Sequence, residues 1–161
     1  MSLCRFLSKT FVALAALVVM TAVADTANGP ASAPANLKVQ IGELKGTFQW
    51  RPDLGHYEYS EQAALEEILA AGSANRSVDQ LVDCLDDTAP SASTLDGKPV
   101  ALGIVCYEAL TQLVYYEPTA PNGDVDAHWS GYLSPRATVQ EMRRAKVAWK
   151  RAKSAKLLIF Q

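Results

Sequence analysis

The sequence predicts a mainly α-helical fold: one small domain, a bundle of about four helices, with one disulfide and minor β structure near its N- and C-terminal ends. Three observations carry that expectation. Apolar residues recur at helical spacing in several stretches between Ser60 and Ser154, the pattern of helices that bury one face. The first residues have the make-up of an export signal, and the chain behind it holds two cysteines, Cys84 and Cys106. An even cysteine count in an exported chain is first read as paired.

The amino-terminal stretch has Arg5 and Lys9, an apolar run from Phe11 to Met20, and the small-x-small triplet Ala22-Val23-Ala24. This three-part order predicts a signal peptide over residues 1–24, cut after Ala24, and a periplasmic or secreted protein. The apolar run is too short to cross a bilayer roughly 30 Å thick. Cys4 precedes that run and leaves with the signal. Cleavage leaves 137 of the 161 residues, enough to bury a true core. No second apolar stretch of membrane length follows, so no transmembrane segment is expected after cleavage. Residues 25–36, small, Pro-containing and nearly uncharged, predict a flexible leader, and residues 37–161 the disulfide-stapled domain.

Within that domain, Leu37, Val39 and Ile41 alternate and Phe48 and Trp50 follow a Gly-containing turn, which predicts two short strands or a loose hairpin closed by Pro52 and Gly55. Ser60 precedes an Ala- and Glu-rich stretch with Leu65, Ile68 and Leu69 on one face and Gly72 as a stop, predicting the first helix. Ser77, with Gln80 three residues on, is expected to cap the second. Val78, Leu81, Val82 and Leu85 form its stripe. Residues 88–98 read as a turn-rich loop, and Pro99 as the first turn of a third helix reaching about Tyr116. Apolar almost all round except for Glu108, Thr111 and Gln112, this helix is expected to be buried. Cys106 lies about 160° from Glu108 on its wheel and so faces the core. A long loop spans residues 118–135. A fourth helix is expected from Ser134 or Thr138, with Glu141 completing a T-x-x-E cap. The closing Leu-Leu-Ile-Phe-Gln reads as a short strand or a docked tail.

Cys84 lies on the flank of the second helix's stripe and Cys106 on the buried face of the third, so a disulfide between them is expected. Closing that loop stabilises the fold by about 3 kcal/mol in the chain-entropy account. Neither cysteine sits in a C-x-x-C pair or beside a His that would favour the thiolate.

Candidate binding residues are two sets of loop aromatics around the two histidines, Trp50, His56 and Tyr57 in one and His128 and Trp129 in the other. Brought together they would line a cleft for a sugar or peptide. The plainer reading is that these rings clamp loops over a small core. The third set is the basic helix with Arg143, Arg144 and Lys150. From Asp25 to Pro135 acidic residues outnumber basic ones 16 to 5, whereas Arg136 to Gln161 holds 8 basic residues and Glu141 alone as an acid. Such asymmetry marks an interaction arm or a helix folded onto its own acidic surface.

Nucleic acid is not expected as the partner of a signal-bearing acidic protein. No metal site or cofactor is expected: two histidines without H-x-x-x-H spacing make no zinc motif, and residues 122–126 lack the terminal Glu of a calcium loop. G-x-S-x-G and phosphate-cradling glycine loops are absent, so no catalytic residue is assigned. Asn75-Arg76-Ser77 fits an N-glycosylation acceptor. The expected function is therefore a non-enzymatic binding or interaction protein, an envelope accessory or inhibitor-type factor, whose partner is a protein or an envelope polymer. The alternative is a small cell-wall or glycan-directed hydrolase working through the His56 and His128 loops.

Overall fold

A computed structural model of the chain describes residues 36–120 and 122–161. The expected signal peptide and all but the last residue of the leader lie outside them. Among the described residues there are five helices and six strands, 44% helical and 20% strand. The expectation of a mainly α four-helix bundle is thus overturned: the fold is mixed α/β, built on a four-stranded sheet.

Chain order runs α1 (Leu37–Glu43), β1 (Thr47–Arg51), β2 (His56–Tyr59), α2 (Gln62–Ala70), α3 (Ala74–Cys84), β3 (Pro90–Leu95), β4 (Lys98–Ala101), α4 (Leu102–Leu113), β5 (Val114–Tyr115), α5 (Val139–Ser154) and β6 (Ile159–Phe160). The large sheet has the order β2-β1-β3-β4, antiparallel within the β1–β2 and β3–β4 hairpins and parallel where β1 meets β3. A second, two-stranded sheet joins β5 to β6. One apolar cluster draws on α1, β1, β2, α2, α3, β4, α4, β5 and α5.

Three local corrections accompany the altered class, the last of them supplying half of the large sheet. Leu37–Glu43 is a helix rather than a strand, because only Leu37 and Ile41 are buried, while Val39 is 51% exposed. Burial at i and i+4 is a helical face, and three alternating residues could not separate the two periods. The expected strand at Phe48 and Trp50 is β1, but its partner is β2, with Pro52 to Gly55 as the turn. Residues 90–101, expected to be loop and helix start, form the β3–β4 hairpin. Its turn is Asp96-Gly97, with φ of 51° and 74°, the Asp-Gly pair that mirror-image hairpin turns favour. Pro99 sits in β4, an edge strand that tolerates its missing N–H.

β3 is an unusual strand, Pro-Ser-Ala-Ser-Thr-Leu, whose register slips between Pro90 and Thr94. Its serines make the bonds that the slip removes from the ladder. Ser91 Oγ donates to the Val100 carbonyl at 3.0 Å and accepts from the Ser93 amide at 3.3 Å. Ser93 Oγ donates to the Leu44 carbonyl at 2.7 Å, so the Tyr59 hydroxyl, also at 2.7 Å, must be the donor to Ser93.

The helices agree better with expectation. α2 buries Leu65 and Leu69, although its N-cap is Glu61, and Ser60 Oγ instead accepts from the Thr47 amide. α3 starts before the expected cap: Ser77 is a buried residue inside it, and Val78, Leu81, Val82 and Leu85 are all buried. Asn75 lies exposed in its first turn. α5 carries the expected capping box, Thr138 Oγ1 accepting from the Glu141 amide and the Glu141 carboxylate accepting from the Thr138 amide.

The disulfide Cys84–Cys106 is formed, with an S–S length of 2.06 Å and Cα atoms 6.1 Å apart. Cys106 is fully buried, as its wheel position requires. The bridge ties the end of α3 to the middle of α4, the two helices that pack most extensively on each other. Gly103 makes that approach close: a Cβ there would stand 2.4 Å from the Leu85 carbonyl oxygen. No helix among the described residues is long and apolar enough to cross a membrane.

Candidate functional site

Helix α5 divides its circumference into three sectors. Met142, Ala145, Ala148, Trp149 and Ala152 are buried against the body. Lys146, Lys150 and Lys153 form a second sector and meet the acidic face of α3 and the turn after it. Lys146 Nζ donates to the Asp86 carboxylate and the Asp83 carbonyl, both at 2.7 Å; Lys150 pairs with Asp83 at 2.8 Å; Lys153 pairs with Asp79. Both sets recur at i, i+4 and i+7, so the two helices carry matching ladders of opposite charge. The Lys150 carboxylate partner Asp83 is held below its ordinary pKa, chiefly by that ammonium. These lysines are therefore committed within the molecule.

The third sector is Arg143, Arg144, Val147 and Arg151. Among the described residues none of these arginines has an ion-pair partner. They border a groove of about 660 Å³ whose other wall is Tyr116 and Trp129. Val147, on its floor, is 59% exposed. The long loop is seated there by edge-on aromatic contacts. Trp129 packs against Tyr116 at 4.9 Å, Trp149 at 5.1 Å and Tyr132 at 5.3 Å between ring centroids. Trp149 Nε1 donates to the Gly131 carbonyl at 2.9 Å. A guanidinium presents a planar fork of N–H donors matched to carboxylate or phosphate, and it stacks on aromatic faces.

Trp50, His56 and Tyr57 lie elsewhere, on a cleft of about 360 Å³ between the β1–β2 hairpin, α4 and residues 133–135. The sheet register explains it. Phe48 pairs with Tyr59 and Trp50 with Tyr57 on one face. The first pair is buried in the core, while the second lies nearer the hairpin tip, where Trp50 is 53% exposed. From α4 the stripe Ile104, Tyr107, Glu108 and Thr111 forms the facing wall. Burial pushes the Glu108 carboxyl above its ordinary range, with Gln62 and His56 acting the other way. The half-buried Tyr107 is pushed up to about 12 by desolvation.

The candidate residues are thus distributed over two places. Trp50, His56 and Tyr57 share the cleft; Trp129, Arg143 and Arg144 share the groove. Lys150 faces α3, and His128 is exposed in the long loop, its amide bonded to Asp126. No known protein family, curated protein or solved structure matches this chain. Tyr116, Val147 and Arg151 of the groove and Tyr107, Glu108 and Thr111 of the cleft were not singled out as site residues. The narrow polar stripe of Glu108, Thr111 and Gln112 on an otherwise apolar helix was the one signal for the cleft.

Proposed function

We propose that the protein is exported, to the periplasm or beyond, and acts there as a non-enzymatic binding protein, an envelope accessory or inhibitor-type factor that holds an acidic partner on the arginine face of α5. One observation carries the reading: the lysines of α5 are spent on the α3 aspartates, and the arginines are left beside an aromatic wall. Charge complementarity selects an anionic partner. The exposed Val147 and the Trp129–Tyr116 wall add apolar contact, which a protein segment with acidic and apolar side chains uses and a purely anionic polymer does not. The amino-terminal sequence supports export, and the disulfide is compatible with an oxidising compartment.

The test is affinity capture from an envelope extract with the mature protein and two charge-reversed variants. Arg143→Glu/Arg144→Glu/Arg151→Glu is expected to lose a salt-sensitive protein partner that Lys150→Glu keeps. An identical captured set from all three proteins, or capture of envelope polymer alone, overturns the proposal. Intact mass of the exported product, expected to begin at Asp25, tests the signal.

A further inference from the structure

The cleft between the β1–β2 hairpin and α4 combines features that the arginine groove does not use. Four aromatic residues border it, Phe48 and Trp50 from β1, Tyr57 from β2 and Tyr107 from α4. Trp50 and Tyr57 meet edge to face, 5.1 Å between ring centroids. Against these rings stands Glu108, a half-buried carboxyl that has no Lys, Arg or His ion-pair partner among the described residues. Arg136, on the Tyr57 side, is committed: its Nε donates to the Tyr57 hydroxyl at 2.8 Å and its second arm to Asp96 at 2.7 Å, while Arg51 of the same hairpin is held by Asp53 and Glu58. Thr111 Oγ1 donates to the Glu108 carbonyl and so brings no proton to the carboxylate, whose polar neighbours are the neutral Gln62 side chain and His56.

We propose that this cleft binds a quaternary ammonium group, with Trp50, Tyr57 and Tyr107 as its aromatic wall and Glu108 as its counter-charge. A carboxylate withdrawn from water without an ion-pair partner is unfavourable, and a bound cation supplies one. The faces of Trp and Tyr attract cations, most strongly those that shed water easily. A primary ammonium carries three N–H donors, each needing an acceptor. A quaternary ammonium needs none, and its methyl groups fill an apolar space. A neutral sugar would leave the Glu108 charge uncompensated. The site is separate from the arginine groove and stands or falls independently of it.

Choline chloride is the probe, and dimethylbutanol, its uncharged carbon isostere, the control; binding is read by tryptophan fluorescence and calorimetry at matched ionic strength. Choline is expected to saturate the protein with a Kd on the order of 1 mM and to bind at least about tenfold more tightly than the isostere. Glu108→Gln is expected to erase that difference. Trp50→Ala, at a half-exposed ring, is expected to weaken choline about tenfold with the unfolding midpoint unchanged. Equal binding of choline and isostere by the unmodified protein, undiminished choline preference in Glu108→Gln, or no saturable binding overturns the proposal. Co-sedimentation with phosphatidylcholine vesicles but not phosphatidylglycerol vesicles assigns the group to a lipid headgroup; binding of free choline alone assigns it to a solute.

Discussion

Ser93 concentrates more structural responsibility than its size suggests. Its one hydroxyl hydrogen goes to the Leu44 carbonyl, and its oxygen receives the Tyr59 hydroxyl, joining the end of α1, the end of β2 and the irregular strand β3. All of this happens at a fully buried position. Ser93→Ala removes no bulk but leaves a buried phenol and a carbonyl without their partner. The expected loss is about 2–3 kcal/mol, because an unsatisfied buried polar group carries its full desolvation penalty. Tyr59→Phe removes the orphaned hydroxyl as well, so the double variant is expected to lose less than the two single losses combined. Denaturant unfolding of the four proteins measures that coupling.

Among the elements, α5 and α3 depend on each other through their charge ladders. The lysine partner of Asp83 is Lys150 of α5, and Asp87, in the turn after α3, is paired instead with Lys38 of α1; both aspartates are held below their ordinary pKa by these ammonium groups first of all. Carboxylates lowered in the folded chain add stability above their unfolded value, about pH 4, and lose it as the pH falls through the folded one. The thermal midpoint is therefore expected to fall between about pH 5 and about pH 3, and to fall less in Asp83→Asn/Asp87→Asn. Calorimetry at low salt checks this. The Lys150–Asp83 pair is solvent-exposed and the Lys38–Asp87 pair partly so, so the effect is modest and fades as salt is added. α5 was legible in the sequence because its capping box and its apolar stripe agree. α1 and β3 were not. Seven residues around Leu37, Val39 and Ile41 fit a strand as well as a helix, and Pro-Ser-Ala-Ser lacks the branched and aromatic residues by which strands announce themselves.

For the molecule as a whole, the Cys84–Cys106 bridge is the feature that sequence and structure agree on most fully, because exported pairing and helical phase both pointed to it. Reducing it is expected to lower the unfolding free energy by about 3 kcal/mol, as for a loop closed across 22 residues. Denaturant midpoints with and without a thiol reductant measure the difference, with Cys84→Ser/Cys106→Ser as the control. The sites were legible only in fragments. Trp50, His56 and Tyr57 stand together in the sequence and also in space, but their facing wall on α4 belongs to a helix read as buried almost all round, with its narrow polar stripe given no partner. The sheet register that opens one edge of that helix is a long-range property. Likewise, Arg143 and Lys150 look alike in a basic helix, and only the position of α3 separates the committed cation from the open one.

The parallel contact of β1 with β3 has a consequence for the tempo of assembly. Each hairpin can zip locally, whereas Thr47 must meet Thr94 across the span of α2 and α3, and distant pairing of this kind slows folding. The sulfur crosslink offers no shortcut, since the route from Thr47 to Thr94 through Cys84 and Cys106 is no shorter than the route along the backbone. Oxidation therefore lengthens the lifetime of the finished molecule without hastening the search that builds it.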